Sequence, residues 1–118
     1  MDCIFCKIIN REAPGTLVYE DEIVTAIIPK DQVAQGHTLI IPKDHYKDIF
    51  DIDDAVLARI AVTAKVLSNQ IVNVSEATGV NLLNASGADA QQSVFHFHLH
   101  IVPRRKNDGL DMWIKQRL

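Results

Sequence analysis

An α+β domain is the fold class that this chain predicts, and two patterns carry the prediction. A strictly alternating run of apolar and polar residues lies near the C-terminal end, and a long stripe of aliphatics at spacings of three and four lies in the middle. The first pattern has the period of a strand and the second that of a helix. Short apolar runs bounded by Pro, Gly and acidic residues supply further strands before and after the helix. Together they describe a five-stranded antiparallel sheet with one long helix on one face and a short N-terminal helix.

The alternation runs from Phe95 to Ile101 within Gln92-Ser93-Val94-Phe95-His96-Phe97-His98-Leu99-His100-Ile101-Val102-Pro103-Arg104, and three of the five histidines fall within five residues. On a strand, residues i, i+2 and i+4 share a face. One register therefore sends Phe95, Phe97, Leu99 and Ile101 into a core. It lines His96, His98 and His100 on the opposite face, about 6.6 Å apart per step. A helix would fan the three imidazoles around its axis and leave the apolar set without a common face.

The other elements follow in order. Asp2 can cap a short helix reaching about Asn10, with Ile4, Phe5, Ile8 and Ile9 inward. Pro14-Gly15 ends it. Residues 16–20 and 22–28 read as a hairpin around Glu20-Asp21, and 36–42 as a third strand stopped by Pro42. From Asp51 or Asp53 a helix runs to about Glu76, with Val56, Ile60, Ala64, Leu67, Ile71 and Val74 buried and Arg59, Lys65, Ser68, Asn69 and Asn73 wet. Gly79 suits the position just past its end. Residues 80–84 form the fourth strand and the histidine row the fifth. The tail from Lys106 to Leu118 carries Trp113 and Ile114, a pair suited to a local lid or an intersubunit contact.

At 118 residues the chain fits a single domain spanning 1–118. Its 47% hydrophobic and 23% charged content is that of a globular protein, and a net charge of −3 gives no footprint for a nucleic acid polymer. No apolar run reaches the roughly 18 residues of a membrane span, and no signal-peptide pattern opens the chain, so a cytoplasmic location is expected. In a reducing compartment the pair Cys3 and Cys6 is half of a metal site or two small buried hydrophobes rather than a disulfide.

Neutral imidazole attacks phosphorus or carbonyl carbon with one nitrogen when an acceptor holds the other as N–H. A backbone carbonyl near His98 could do that, with neighbouring imidazoles, Ser93, Gln92 and Asn84 as donors to phosphate oxygens. His-x-His on a strand also allows a second chemistry, a zinc hydrolase with His96 and His98 as catalytic ligands.

The run His96-Phe97-His98-Leu99-His100-Ile101-Val102 resembles the histidine triad motif of the HIT superfamily. So do Cys3-Ile-Phe-Cys6-Lys-Ile-Ile near the start and Gly36-His37-Thr38-Leu39-Ile-Ile-Pro-Lys43 in the centre, most closely in the bacterial Hint-like branch. That resemblance implies a homodimer that binds purine nucleotides and cleaves at the α-phosphate of nucleoside phosphoramidates or dinucleoside polyphosphates. It makes His98 the nucleophile, with His100 and Ser93 on the phosphate and leaving group, His96 in the triad, and Asn84 and Gln92 nearby. Ile4, Phe5, Ile8, Ile27, Ile28 and Leu39 match base- and ribose-binding positions. Cys3, Cys6, His45 and His96 match a structural zinc set, and His37 reads as a core histidine. Two positions depart from the pattern: Pro29 replaces an Asp that contacts ribose hydroxyls, leaving Asp31 to compensate from two residues away or Lys30 to select another anion, and Gln91 replaces a glycine before Gln92. The alternative implied by Pro29 is a nucleotide-binding regulatory module with little turnover.

Overall fold

The computed structural model describes residues 2–114, and the alternation of side chains along its strands divides the core in two. The strands are β1 (Thr16–Glu20), β2 (Val24–Ile28), β3 (Thr38–Pro42), β4 (Gly79–Leu83) and β5 (Leu99–Arg104). They form one antiparallel sheet in the order β1-β2-β3-β5-β4. Val24 and Ala26 of β2, Ile40 of β3 and Ile101 of β5 point to one face, where they meet Ile60, Ala64 and Leu67 of the long helix α2 (Asp54–Val74). Ile27, Leu39 and Ile41 point to the other, where Cys3, Phe5 and Ile8 pack on them from the short helix α1 (Ile4–Ile9) and its cap. The sheet is therefore covered on both faces, not one. The largely apolar runs of β2 and β3, buried almost without a break, carry that signal, since a strand buried on both sides loses its alternation.

Helix α1 is capped by Cys3, not Asp2: the Cys3 thiol accepts from the Cys6 N–H at 3.4 Å, while Asp2 pairs with Lys7 at 2.7 Å. Only Phe5 and Ile8 of its expected inner stripe are buried, and Ile4 is exposed. Helix α2 starts where Asp53 accepts from the N–H groups of Ala55 and Val56. It ends at Val74, which is 86% exposed and so leaves the buried stripe at Ile71; Ser68 is half-buried rather than wet. Gly79 opens β4 instead of closing the helix. By length and composition α2 could cross a membrane, but one side of it lies on the sheet.

Strand β5 starts at Leu99, three residues after the first histidine of the row. The backbone of 92–98 is drawn elsewhere: the Phe97 N–H donates to the Tyr46 carbonyl at 2.7 Å, so this segment lies along the connection after β3. The facing alternation still holds for Phe97, Leu99 and Ile101 against His98 and His100. Phe95 breaks it and is 44% exposed.

The β1–β2 turn is built on Asp21. One carboxylate oxygen accepts from the N–H groups of Ile23 and Val24 at 2.8 and 2.9 Å; the other accepts from the Tyr19 hydroxyl and from Arg59 of α2. Burial raises its pKa, but the two backbone N–H groups, Tyr19 and Arg59 together outweigh that and bring it to about 2. A carboxylate with a depressed folded pKa stabilises above its ordinary value of 3.8 and loses that stabilisation as pH falls towards 2. Asp21→Ala should cost about 1–3 kcal/mol at pH 7 by stranding its donors. Urea melts should show this deficit narrowing at pH 3; an equal deficit at both pH values would remove the charged carboxylate from the account.

Candidate functional site

His98 sits on the α1 face, 5% exposed, with the Phe5 ring edge-on at 5.2 Å. Its Nδ1 lies 2.8 Å from the carbonyl of His96. A carbonyl only accepts, so Nδ1 carries the proton and Nε2 keeps its lone pair. Burial lowers the His98 pKa, and the bond to His96 opposes that only in part. Asn84 steadies the same residue by donating from Nδ2 to the His98 carbonyl at 3.0 Å.

His37 belongs to this site rather than to the plain core. The Val33 N–H donates to His37 Nδ1 at 3.2 Å, so the His37 proton is on Nε2. That Nε2–H points at His100 Nδ1, 2.9 Å away, with the rings stacked at 5.2 Å. His100 must then hold its own proton on Nε2, beside His98, whose ring is 5.1 Å away. Burial, with His98 and His37 as neighbours, pushes His100 down to about 4; burial also lowers His37. Position explains the pairing: Gly36 adopts φ +89°, open to glycine, and turns the chain so that His37 enters β3 opposite β5, where Thr38 faces Ile101.

His96 is fully buried and meets the same Phe5 ring edge-on at 5.8 Å, but it uses its nitrogens in the opposite sense. Its Nε2–H donates to the Pro42 carbonyl at 2.8 Å, leaving the Nδ1 lone pair for a metal. Burial first, then His45 and His98, push its pKa to about 4 against the Pro42 bond. Its Nδ1 lies 3.4 Å from Cys3 Sγ, 3.5 Å from Cys6 Sγ and 3.1 Å from His45 Nδ1, and Cys6 Sγ is 3.4 Å from His45 Nδ1. Ligand bonds of zinc length place tetrahedral corners about 3.3 Å apart for N–N and about 3.6 Å for N–S. All four ligand atoms lie within 4.8 Å of one another, so the donor set fits a tetrahedral divalent metal. Burial, reinforced by Cys3, raises the Cys6 thiol, which makes a cation the natural partner for thiolate here. With both His96 nitrogens engaged and His98 Nδ1 on a carbonyl, His96 and His98 do not converge as a ligand pair, which removes the zinc-hydrolase arrangement.

The remaining sequence-predicted residues divide. Phe5, Ile8, Ile27 and Leu39 pack together under α1, while Ile4 and Ser93 line a cavity beside it. Ile28 is on the wrong side. Alternation along β2 puts Ile27 on the histidine face and turns Ile28 into an apolar groove with Leu67 and Ile71 of α2. The buried Gln92 amide donates to the carbonyls of Lys47 and Val94, and its oxygen accepts from the Gly87 N–H. Those bonds brace the loop. Gln91 holds the left-handed conformation (φ 71°) that a glycine would adopt without strain. Lys30 and Asp31 are exposed on the loop after β2, and Trp113 and Ile114 are 74% and 75% exposed; the last four residues of the tail lie outside the described residues.

A family model described as the HIT domain matches residues 10–107. An uncharacterized HIT-like protein of Borreliella burgdorferi is 46% identical over 110 residues, covering 92% of this chain and 79% of its own. The adenylylsulfatase HINT3 of Arabidopsis thaliana is 39% identical over 117 residues, 99% of this chain and 58% of that protein. A crystal structure of a zinc-bound histidine triad family protein from Mycobacterium smegmatis superimposes with a TM-score of 0.89 at 38% identity, covering 94% of this chain and 81% of that one. With the sheet order, the buried histidine row and these matches in agreement, the chain belongs to the HIT family.

Proposed function

We propose that this chain is a hydrolase or transferase acting at the α-phosphate of a purine nucleoside phosphoramidate or dinucleoside polyphosphate. The observation that carries the reading is His98: its Nδ1–H is fixed on the His96 carbonyl, and its Nε2 lone pair stands beside a neighbouring N–H donor, His100. Nε2 attacks phosphorus, a P–N bond forms as the leaving group departs, and water then hydrolyses the nucleotidyl-histidine. His100 Nε2–H, set by His37, donates to a phosphate or leaving-group oxygen, and the Ser93 hydroxyl adds a second donor. A relative named as an adenylylsulfatase supports an adenylyl-bearing substrate. Ile4, Phe5, Ile8, Ile27 and Leu39 remain the candidate base and ribose wall.

Cys3, Cys6, His45 and His96 would hold zinc, and the zinc-bound relative supports that choice of metal. Zinc, when bound, cross-links α1 to the histidine segment. A homodimer fits the exposed Val62 and Val66 of α2 and the edge position of β4.

His98→Ala should lower release of nucleoside monophosphate from adenosine phosphoramidate and diadenosine polyphosphates by about a thousandfold or more while nucleotide affinity stays within a few-fold. Residual turnover near wild type would place the nucleophile elsewhere. A wild type that binds nucleotide without turnover would favour the regulatory module. The proton positions are open to long-range proton–nitrogen NMR at neutral pH: His98 should appear as the Nδ1–H tautomer, and His37 and His100 as Nε2–H. Any of the three in the opposite tautomer would break the proposed division of roles. Zinc at a hundredfold excess over its Kd should stabilise the metal-free protein by about 2.7 kcal/mol. In a thermal melt this is a rise on the order of 10 °C, absent in Cys6→Ser; an unchanged melt in the wild type would count against a structural metal.

A further inference from the structure

A cavity of about 610 Å³ opens beside the α1 end of the site and is large enough for a nucleotide-sized group. It shares Ile4 and Ser93 with the candidate nucleotide set but is not lined by His98 or His100, so it adjoins the reacting centre rather than containing it. Its charges do not cancel. Lys7 is matched by Asp2 at 2.7 Å, whereas Lys47 pairs with no carboxylate among the described residues and stands 5.7 Å over the Phe95 ring. The root of Lys47 is fixed at both ends: its N–H donates to Asp51 at 2.7 Å, and its carbonyl accepts from Gln92, also at 2.7 Å. Gln92 holds the Val94 carbonyl as well, so it ties the connection that carries Lys47 to the segment of Ser93 and Phe95 that runs into His98. The Ser93 hydroxyl has no protein hydrogen-bond partner among the described residues and is free to donate into the cavity.

A preformed chamber with one uncompensated cation, a spare hydroxyl and an aromatic floor suits a phosphate-bearing group. Resting on the α-phosphate reading above, we propose that this chamber is a leaving-group subsite, with Lys47 as the residue that selects a phosphate-bearing leaving group over a small amine. In the transfer step the His98 Nε2–P bond forms, the bridging P–O bond breaks, and its electron pair departs on the oxygen of the leaving phosphate. The leaving phosphate carries that charge out of the reacting centre into the adjoining chamber, where Lys47 meets its anionic oxygens. A phosphoramidate releasing ammonia places nothing in the chamber.

The test is the ratio of kcat/KM for diadenosine triphosphate to that for adenosine phosphoramidate, measured on wild type, Lys47→Glu and Lys47→Arg at matched zinc content. Reversing the charge should lower the ratio about tenfold or more, and Arg should restore it at least in part. A ratio unchanged by Lys47→Glu overturns the subsite. If neither substrate is turned over by any of the proteins, the α-phosphate reading fails separately, and calorimetry with inorganic pyrophosphate decides the subsite. Binding weakened by about tenfold in Lys47→Glu sustains an anion site at Lys47; equal affinity in both proteins, or no binding to either, overturns it.

Discussion

Everything near the histidine row depends on how His96 is held. Its ring is fully buried and has no bulk water to satisfy it, so each nitrogen needs a protein partner or a metal. Nε2–H takes the Pro42 carbonyl at the end of β3, and Nδ1 faces Cys3, Cys6 and His45. The backbone carbonyl of the same residue then receives the Nδ1–H of His98. One residue thus joins the start of α1, the end of β3 and the orientation of the candidate nucleophile. A residue of equal volume without both ring nitrogens would leave the Pro42 carbonyl unpaired and the cysteines without one of their partners. Small displacements there would pass directly to His98, two residues along the backbone and hydrogen-bonded to the His96 carbonyl.

Burial of several imidazoles in one place also fixes their charge. His96 and His100 are pushed to about 4, and His37 and His98 are lowered, in each case first by loss of solvent. A proton added to one would be felt by the next, so the low-dielectric cluster favours the uncharged row at neutral pH. With no net charge, the row orders itself by hydrogen-bond direction: Val33 N–H to His37, His37 to His100, and His98 to His96. Such a centre stabilises developing charge through oriented N–H dipoles.

The sequence made the facing of residues legible, more than their partners. Alternation placed His98 and His100 against Phe97, Leu99 and Ile101 correctly, and the spacing of Ile60, Ala64 and Leu67 found the buried side of α2. Periodicity says which side a residue faces, not which backbone it bonds. The Phe97 N–H goes to Tyr46, and for that reason strand pairing starts only at Leu99 although the pattern begins earlier. Ile28 entered the candidate wall with Ile27 through the family resemblance, yet the two are adjacent on β2 and point to opposite faces. The partnership of His37 with His100 spans 63 positions and depends on β3 lying beside β5, which no local pattern encodes. The available clue was position: His37 immediately precedes a strand, behind a glycine.

Gln92 shows why residue type alone misdirects. An uncharged amide beside a phosphate site reads as a phosphate donor, yet both of its N–H directions are spent on the Lys47 and Val94 carbonyls, and its oxygen on the Gly87 N–H. That trio asks for two donors and one acceptor within one side chain, a set that Glu cannot supply and that Gln meets. The same requirement explains its burial, since a polar group taken out of water must find all its partners inside. Braced in this way, the loop from Gly87 to His98 can leave its backbone largely without regular structure and still present Ser93, Phe95 and His98 in fixed relation. Rigidity at this site therefore comes from side-chain-to-backbone bonds at a few points, and a strand ladder takes over only once the chain reaches Leu99.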